Sequence, residues 1–484
     1  MRQRGAPRGP GWVGAAHLRR AGRPRVVFPA RHGRRRAFLG RRLLLGPVGQ
    51  DRAGQRRAGR QRQAGHPVRR HLDRRSQGGL KVKKRKILLI GLGAVVLAGA
   101  TTYATAPLYW NRYFRALTVN PLEPPIDWYK PVAVVKGAPA TPLPKTTPEA
   151  AGIDPAALEA AAEYAGARKS DALIVVKDGA IVYERYWNGV GPNTVMKAHS
   201  FTKTMTGMLI GAAIADGKIK SVDQPAADFI TEWKNDERSR ITIRDLLQMS
   251  SGLEPPDYSY APWSSTIRTF LSPDLAKDNL ALKAVHPPGT VFGHHNPDPV
   301  ALSVIVERAT GKTFADYMSE KLFSPLGMHD GSLWLAKEGG LAHGDCCMIS
   351  QVQDWMRIGI MLANGGSFEG KQVLPADYVA AMSAPGKANP GYGFQVWRGR
   401  PFVKNRIYSP ERPDKASVSA EPIAAEDAIF LDGWGKRRLW IVPSQKLVVL
   451  RDGVDLDDWD DTKIPNLILR GLAAPAAPQP EKAP

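Results

Sequence analysis

The sequence predicts an α/β (α+β) domain: an antiparallel sheet flanked by helices, plus a mostly helical subdomain. Three observations carry this. Strand-like apolar runs lie near residues 171–189 and return near 428–453. Strongly helical runs lie between them, and residues 217–345 read mostly as short helices and loops. Both ends of one domain therefore build the sheet, and a helical insertion sits between them. With 484 residues the chain is long enough for more than one structural unit.

The first segment, residues 1–80, predicts no packed structure. Residues 1–86 hold 27 Lys and Arg against Asp51 and Asp73, so the net charge of +23 is concentrated there. The rest of the chain has 41 basic and 43 acidic residues and gives no sign of a nucleic-acid partner. Residues 1–80 also lack Lys, Ile, Asn, Thr, Tyr, Glu and Cys. Those absences fit a GC-rich upstream stretch translated from too early a start. The alternative is a disordered basic arm for nucleic acid or anionic lipid.

Residues 81–106 change character. KVKKRK is followed by ILLIGLGAVVLAGA and then by small residues, as in a signal peptide or an N-terminal membrane anchor. A start at Val82 would make this an ordinary export signal. Pro107 disfavours cleavage after Ala106, and Ile87–Ala106 is about long enough to span a bilayer. The expectation is an exported protein, periplasmic or anchored to the inner membrane and facing the periplasm. Residues 107–144 are Pro-rich and aperiodic and read as a linker or a draped segment.

The domain proper is expected at 145–470. Asp154-Pro155 opens a helix to about Ala167. DALIVVKDGAIVYERYWNG reads as a hairpin turning at Lys177-Asp178-Gly179. A helix begins at Ser200. Thr242 and Asp245 form a capping-box pattern. Helices are expected at Val300–Thr310, Phe314–Leu322 and Gln353–Asn364. AIFLDGWGKRRLWIVPSQKLVVLRDG reads as two or three strands turning at Gly435 and at Pro443–Lys446, and residues 471–484 read as a disordered tail. Cys346 and Cys347 are adjacent and read as two small packed side chains rather than a staple or a metal site.

Ser200-Phe201-Thr202-Lys203 carries the chemistry. A serine hydroxyl needs a base within reach, and helical residues three apart share a face. A desolvated lysine loses its proton more readily, and a first helical turn offers N–H groups to negative charge. Ser-x-x-Lys alone is weak, since a capping serine followed by a solvated lysine looks the same.

Five blocks strengthen it: SFTK, SVDQPAADF, ITIRDLLQMSSGL, PPGTVFGHHNPD and ERATGKTFADYMSEKLFSPLGM follow in that order. Together they resemble the serine β-lactamase and penicillin-binding-protein superfamily. Within it, the class C-like esterases and 6-aminohexanoate-dimer hydrolases are most similar. The resemblance covers about residues 145–470 and implies a β-lactamase/transpeptidase-like fold. It implies that Ser200 is the acylated nucleophile and Lys203 its base. The family's Tyr-x-Asn triplet matches at Asn296, but His294 holds the tyrosine position. The resemblance thus implies that His294 either relays protons, which an imidazole suits, or fills the tyrosine's space. His295 is the weaker substitute. The family's Lys-Thr-Gly strand corresponds to Asp432–Arg437, similar to a Trp-Gly-Gly variant with Lys436 in place of the last glycine. It implies substrate or oxyanion contacts at Trp434, Gly435 and Arg437. The competing reading makes Lys436, Arg437 and Arg438 a solvated basic edge.

The function implied is a serine hydrolase acting through an acyl-enzyme on a small ester or amide. Penicillin binding, D-amino-acid peptidase action and weak β-lactamase activity are alternatives, as is a degenerate ligand-binding protein. No cofactor and no metal is expected, since His286, His329 and His343 lack partners at ligand spacing. Tyr258, Tyr260 and Trp263 lie on a loop that either walls the cleft or packs, and Asp354 and Arg357 read as a structural pair.

Overall fold

The computed structural model describes residues 74–120, 123–138, 141–454 and 457–473, with side chains from Lys86 onward. The expectations for 1–73 and for the tail beyond 473 lie outside these residues. The chain divides into two units, Met1–Leu80 and Lys81–Pro484. In the first, the backbone from Arg74 is helical, where disorder was expected as far as residue 80. Adding a residue to a formed helix costs far less than starting one, so a helix extends readily past an apolar run.

Helix α1, Arg74–Thr105, carries the apolar stretch. Its segment Lys86–Thr105 has 20 residues, a mean hydropathy of 2.0 and no burial, and is long and apolar enough to cross a membrane. Helix α2, Pro107–Thr118, follows at once. The other helices used below are α3 Pro155–Ala167, α4 Phe201–Ala215, α5 Ile243–Leu247, α6 Pro297–Thr310, α7 Asp354–Ala363 and α8 Lys463–Arg470. The strands are β1 Val132–Val135, β2 Ser170–Lys177, β3 Ala180–Tyr186, β4 Val195–Lys197, β5 Gly331–Trp334, β6 Met348–Gln351, β7 Trp397–Arg398, β8 Ile429–Gly433, β9 Arg437–Val442 and β10 Leu447–Gly453.

Among the described residues, six strands form one antiparallel sheet in the order β3-β2-β10-β9-β8-β7. Both ends of the domain build it, as expected. Strand alternation sends side chains to two faces. Leu173, Val175, Trp440 and Val449 pack with Leu158 and Ala162 of α3 and with Ile464 and Ile468 of α8. Ile174, Val176, Leu439, Ile441 and Val448 join the larger core with Met205 and Leu209 of α4 and Trp355 of α7. A Cβ at Gly359 would lie 2.3 Å from Val448 Cγ1, so only glycine lets α7 approach β10 this closely. The capping box at Thr242 and Asp245 opens α5 as predicted.

The described residues of the Pro-rich segment lie packed on the domain, as the draped reading has it and not as a free linker. In α2 the Arg112 guanidinium is buried and donates to Ala336 O at 2.7 Å and Leu335 O at 2.9 Å. Tyr113 donates to Tyr260 O and Tyr109 to Pro262 O, so α2 holds the aromatic loop; Tyr260 and Trp263 themselves remain exposed. Trp128 and Tyr129 pack on Trp334, and β1 pairs with β5 in a second sheet, β1-β5-β6-β4. These contacts run from side chains to distant carbonyls and rings, so they leave no periodicity in the sequence.

Two further readings are corrected. Cys346 and Cys347 are buried as expected but are joined as a vicinal disulfide. Asp354 and Arg357 do not pair with each other. Asp354 accepts from His329 N at 2.9 Å, while Arg357 donates to Leu326 O and Thr141 O, so backbone groups of other segments take up both side chains.

Candidate active site

Ser200 precedes the first residue of α4 but does not cap it, since its side chain accepts no bond from the first turn. Its Oγ meets Lys203 Nζ at 3.0 Å. The same Nζ lies 2.8 Å from Asn296 Oδ1 and 2.7 Å from Asp345 O. Asn296 stands at the head of α6, which packs against α4, so the two helices present these side chains to each other. Lys203 is 2 % exposed, and burial lowers its pKa to about 8 against the opposing pull of Asp345 and Asp432. A neutral amine has two N–H donors and one lone pair. The two carbonyl oxygens match the donors, which leaves the lone pair toward the Ser200 hydroxyl. The arrangement can therefore accept a proton from Ser200.

The first turn of α4 departs from expectation. The amides of Phe201, Thr202 and Lys203 donate to Ala198 O, His199 O and Ser200 O, because the turn tightens at its start. They are occupied rather than open to an anion.

His294 sits in a wall beside this centre. Its amide donates to Tyr408 O at 2.7 Å, and its ring packs against Tyr392, Trp397 and Tyr408. Burial, then Lys203 and Arg406, hold its pKa well below the usual imidazole range, so it is neutral. The side-chain partner that Lys203 takes from the triplet is Asn296, not His294. His295 turns the other way, with Nε2 3.6 Å from Asp298 Oδ2. Asp298 accepts from Ser251 Oγ at 2.5 Å, and burial pushes its pKa up to about 8.

The third element is placed differently from its sequence reading. Gly433, at the end of β8, reaches the nucleophile's helix. A Cβ there would lie 2.9 Å from Ala198 O and 3.3 Å from the Phe201 ring. Gly435 instead makes the turn at φ +84°, where a Cβ would meet Arg437 Nη1 at 2.3 Å. Trp434 on that turn is 38 % exposed. The Arg437 side chain is turned to protein partners. Its guanidinium is buried on Asp452 Oδ1 and Glu123 Oε1, each at 2.6 Å, and on Trp434 O at 2.7 Å. Arg438 is fully buried on Asp432 and Asp461. These two arginines are thus not a solvated basic edge.

Sequence reasoning missed Glu123, the Asp345 carbonyl, Tyr392, Tyr408 and Gly433. Of these, Gly433 had a signal, the glycine that ends an apolar strand. A cavity of about 450 Å³ opens behind the His294 wall, lined by Phe292, Trp397, Phe402, Arg406 and Ser409 among others, and not by Ser200 or Lys203. His343, Asp345 and Cys346 offer ligand atoms within 4.8 Å of one another, but the Cys346 sulfur is in the disulfide and His343 Nδ1 meets Asp345 at 3.0 Å. That chemistry makes a poor metal ligand set.

The Beta-lactamase family profile matches residues 156–451. A D-aminopeptidase of Brucella canis is 29 % identical over 178 residues, which is 34 % of this chain and 32 % of the relative. A 6-aminohexanoate-dimer hydrolase of Paenarthrobacter ureafaciens is 25 % identical over 229 residues, 45 % of this chain and 58 % of the relative. The chain thus spans about a third of the length of the D-aminopeptidases it matches. A solved structure of a candidate 6-aminohexanoate-dimer hydrolase from Bacillus anthracis superposes with a TM-score of 0.56 at 22 % identity, covering 72 % of this chain and 93 % of that one. At that identity the likeness establishes the β-lactamase/transpeptidase-like fold.

Proposed function

This chain belongs to the Beta-lactamase family of serine-hydrolase fold, and on that footing we propose that it hydrolyses a small ester or amide through an acyl-enzyme on Ser200. One observation carries the reading: Lys203 Nζ is buried between Ser200 Oγ, Asn296 Oδ1 and Asp345 O.

Neutral Lys203 takes the hydroxyl proton as Ser200 Oγ attacks the substrate carbonyl. The tetrahedral oxyanion is held by the Ser200 N–H and by an N–H of the turn that follows Gly433. Lys203, now an ammonium, returns the proton to the leaving alcohol or amine as the C–O or C–N bond breaks. We propose that neutral His294 helps pass that proton. Water then attacks the acyl-Ser200 ester, gives its proton to Lys203, and releases the acid as Ser200 regains its hydrogen. Asn296 and the Asp345 carbonyl hold the amine in place through both halves. The two kinds of relative, a D-aminopeptidase and a 6-aminohexanoate-dimer hydrolase, favour an amide as the bond cleaved.

A fluorophosphonate probe tests the proposal. The parent should be labelled and Ser200→Ala should not; undiminished labelling of the variant overturns the assignment. Rates on p-nitrophenyl esters, β-lactams and D-alanyl peptides then rank the substrate classes. For residues 81–106 the proposal remains an export signal or an uncleaved anchor, with the basic run on the cytoplasmic side. Mass spectrometry of the native N-terminus distinguishes them.

A further inference from the structure

We propose that Glu123, outside the family-matched region, is a positioning residue that ties together the two backbone segments flanking Ser200. The proposal rests on the acyl-enzyme reading above. Glu123 Oε2 accepts from Lys197 Nζ at 2.8 Å, and Glu123 Oε1 accepts from Arg437 Nη1 at 2.6 Å. Lys197 ends β4 and leads through Ala198 and His199 directly to Ser200. Arg437 begins β9, and the same Nη1 donates to Trp434 O across the turn that follows Gly433. One carboxylate thus spans the strand leading into the nucleophile and the turn beside it.

The tie is well shielded. The side chain of Glu123 is 18 % exposed, and those of Lys197 and Arg437 are 17 % and 5 % exposed. Ion pairs screened this little from each other are stronger and more directional than surface pairs. Lys197 Nζ also donates to Pro124 O at 2.9 Å, which fixes the backbone that carries Glu123. His199 Nε2 lies 3.6 Å from Glu123 Oε1, so the carboxylate also borders the residue preceding Ser200. Asp452 accepts from Arg437 Nε at 2.6 Å and holds that arginine to β10, but among the described residues it is Glu123 that joins the arginine to Lys197. Glu123 is thereby part of the working site and not only of the fold.

The test measures the rate of fluorophosphonate labelling, and kcat and KM on a p-nitrophenyl ester, in the full chain. Glu123→Gln keeps the size but has one acceptor oxygen in place of two and no charge to pair with the two cations. Small misplacements of reacting groups cost up to about 10²-fold. The variant should therefore label at least about tenfold more slowly, with the loss in kcat and little change in KM. Glu123→Ala should lose at least as much, and Lys197→Met should slow labelling in the same way and add little to Glu123→Gln when combined with it. Where Glu123→Gln does not fold, Lys197→Met alone decides. Parent-like labelling and kcat in folded Glu123→Gln, with only a lowered melting temperature, overturn the proposal. A parent that takes no label overturns the acyl-enzyme reading itself, and this inference with it.

Discussion

Replacing Lys203 by methionine separates the base from its surroundings. The side chain keeps nearly the same length, and an apolar chain suits a site that is 2 % exposed, so the fold is expected to survive. What disappears is the neutral amine. A lysine at its ordinary pKa is neutral in about one molecule in three thousand at pH 7, whereas one lowered to about 8 is neutral in about one in ten. Burial therefore raises the base-competent fraction by about three hundredfold. General-base assistance contributes about 10²–10⁴-fold on top of positioning. The expectation is that fluorophosphonate labelling of the parent rises with pH from 6 and levels off above about 8, as Lys203 loses its proton. In Lys203→Met the rate should fall by at least about a hundredfold and lose that rise. The assay is the pseudo-first-order labelling rate between pH 6 and 9, with circular dichroism to show that the variant is folded. A variant within about tenfold of the parent, or one that keeps the same limb, would refute the role of Lys203.

Other outcomes follow from the same structure. His294→Tyr should keep labelling close to the parent and His294→Gln should slow it; equal rates for all three make His294 a space-filler. Arg438→Met takes away one of the two arginines that buried Asp432 and Asp461 share, Arg406 being the other, and should cost about 1.5–3 kcal/mol in chemical denaturation, so a loss below about 1 kcal/mol contradicts the buried network. Folded Asp298 holds its proton up to about pH 8, while the unfolded chain releases it near 3.8, so this group's contribution to stability falls as pH rises between those values. Asp298→Asn should flatten that decline in melting temperature, and unchanged slopes would argue against a protonated Asp298.

What the sequence disclosed follows from how local each signal is. Ser200 and Lys203 sit three apart on one helix, so their meeting is written in the spacing. The hairpin at 170–186 and the strands at 429–453 show their apolar runs directly. Asn296 was reached through its place in a motif. Glu123 was not, because its partners lie 74 and 314 residues away and the surrounding prolines hide any period. Arg437 and Arg438 looked like a solvated edge because their acidic partners, Asp452 and Asp461, come from separate segments. The Asp345 contact to Lys203 runs through a carbonyl, which every residue has, so no residue type betrays it.

The position of β10 in the sheet bears on how this chain is made. That strand, at residues 447–453, lies between β2 and β9, so the sheet's interior is completed by residues synthesised nearly three hundred positions after β2. Until they emerge, β2 presents an unpaired edge, and such edges recruit other strands. Folding therefore waits on long-range closure, which is slow and exposes apolar surface meanwhile. A ribosome that stops before residue 447 releases a chain with Ser200 and Lys203 both present but no strand to join β2 to the turn beside them. Chains truncated before residue 447 should thus be insoluble rather than weakly active.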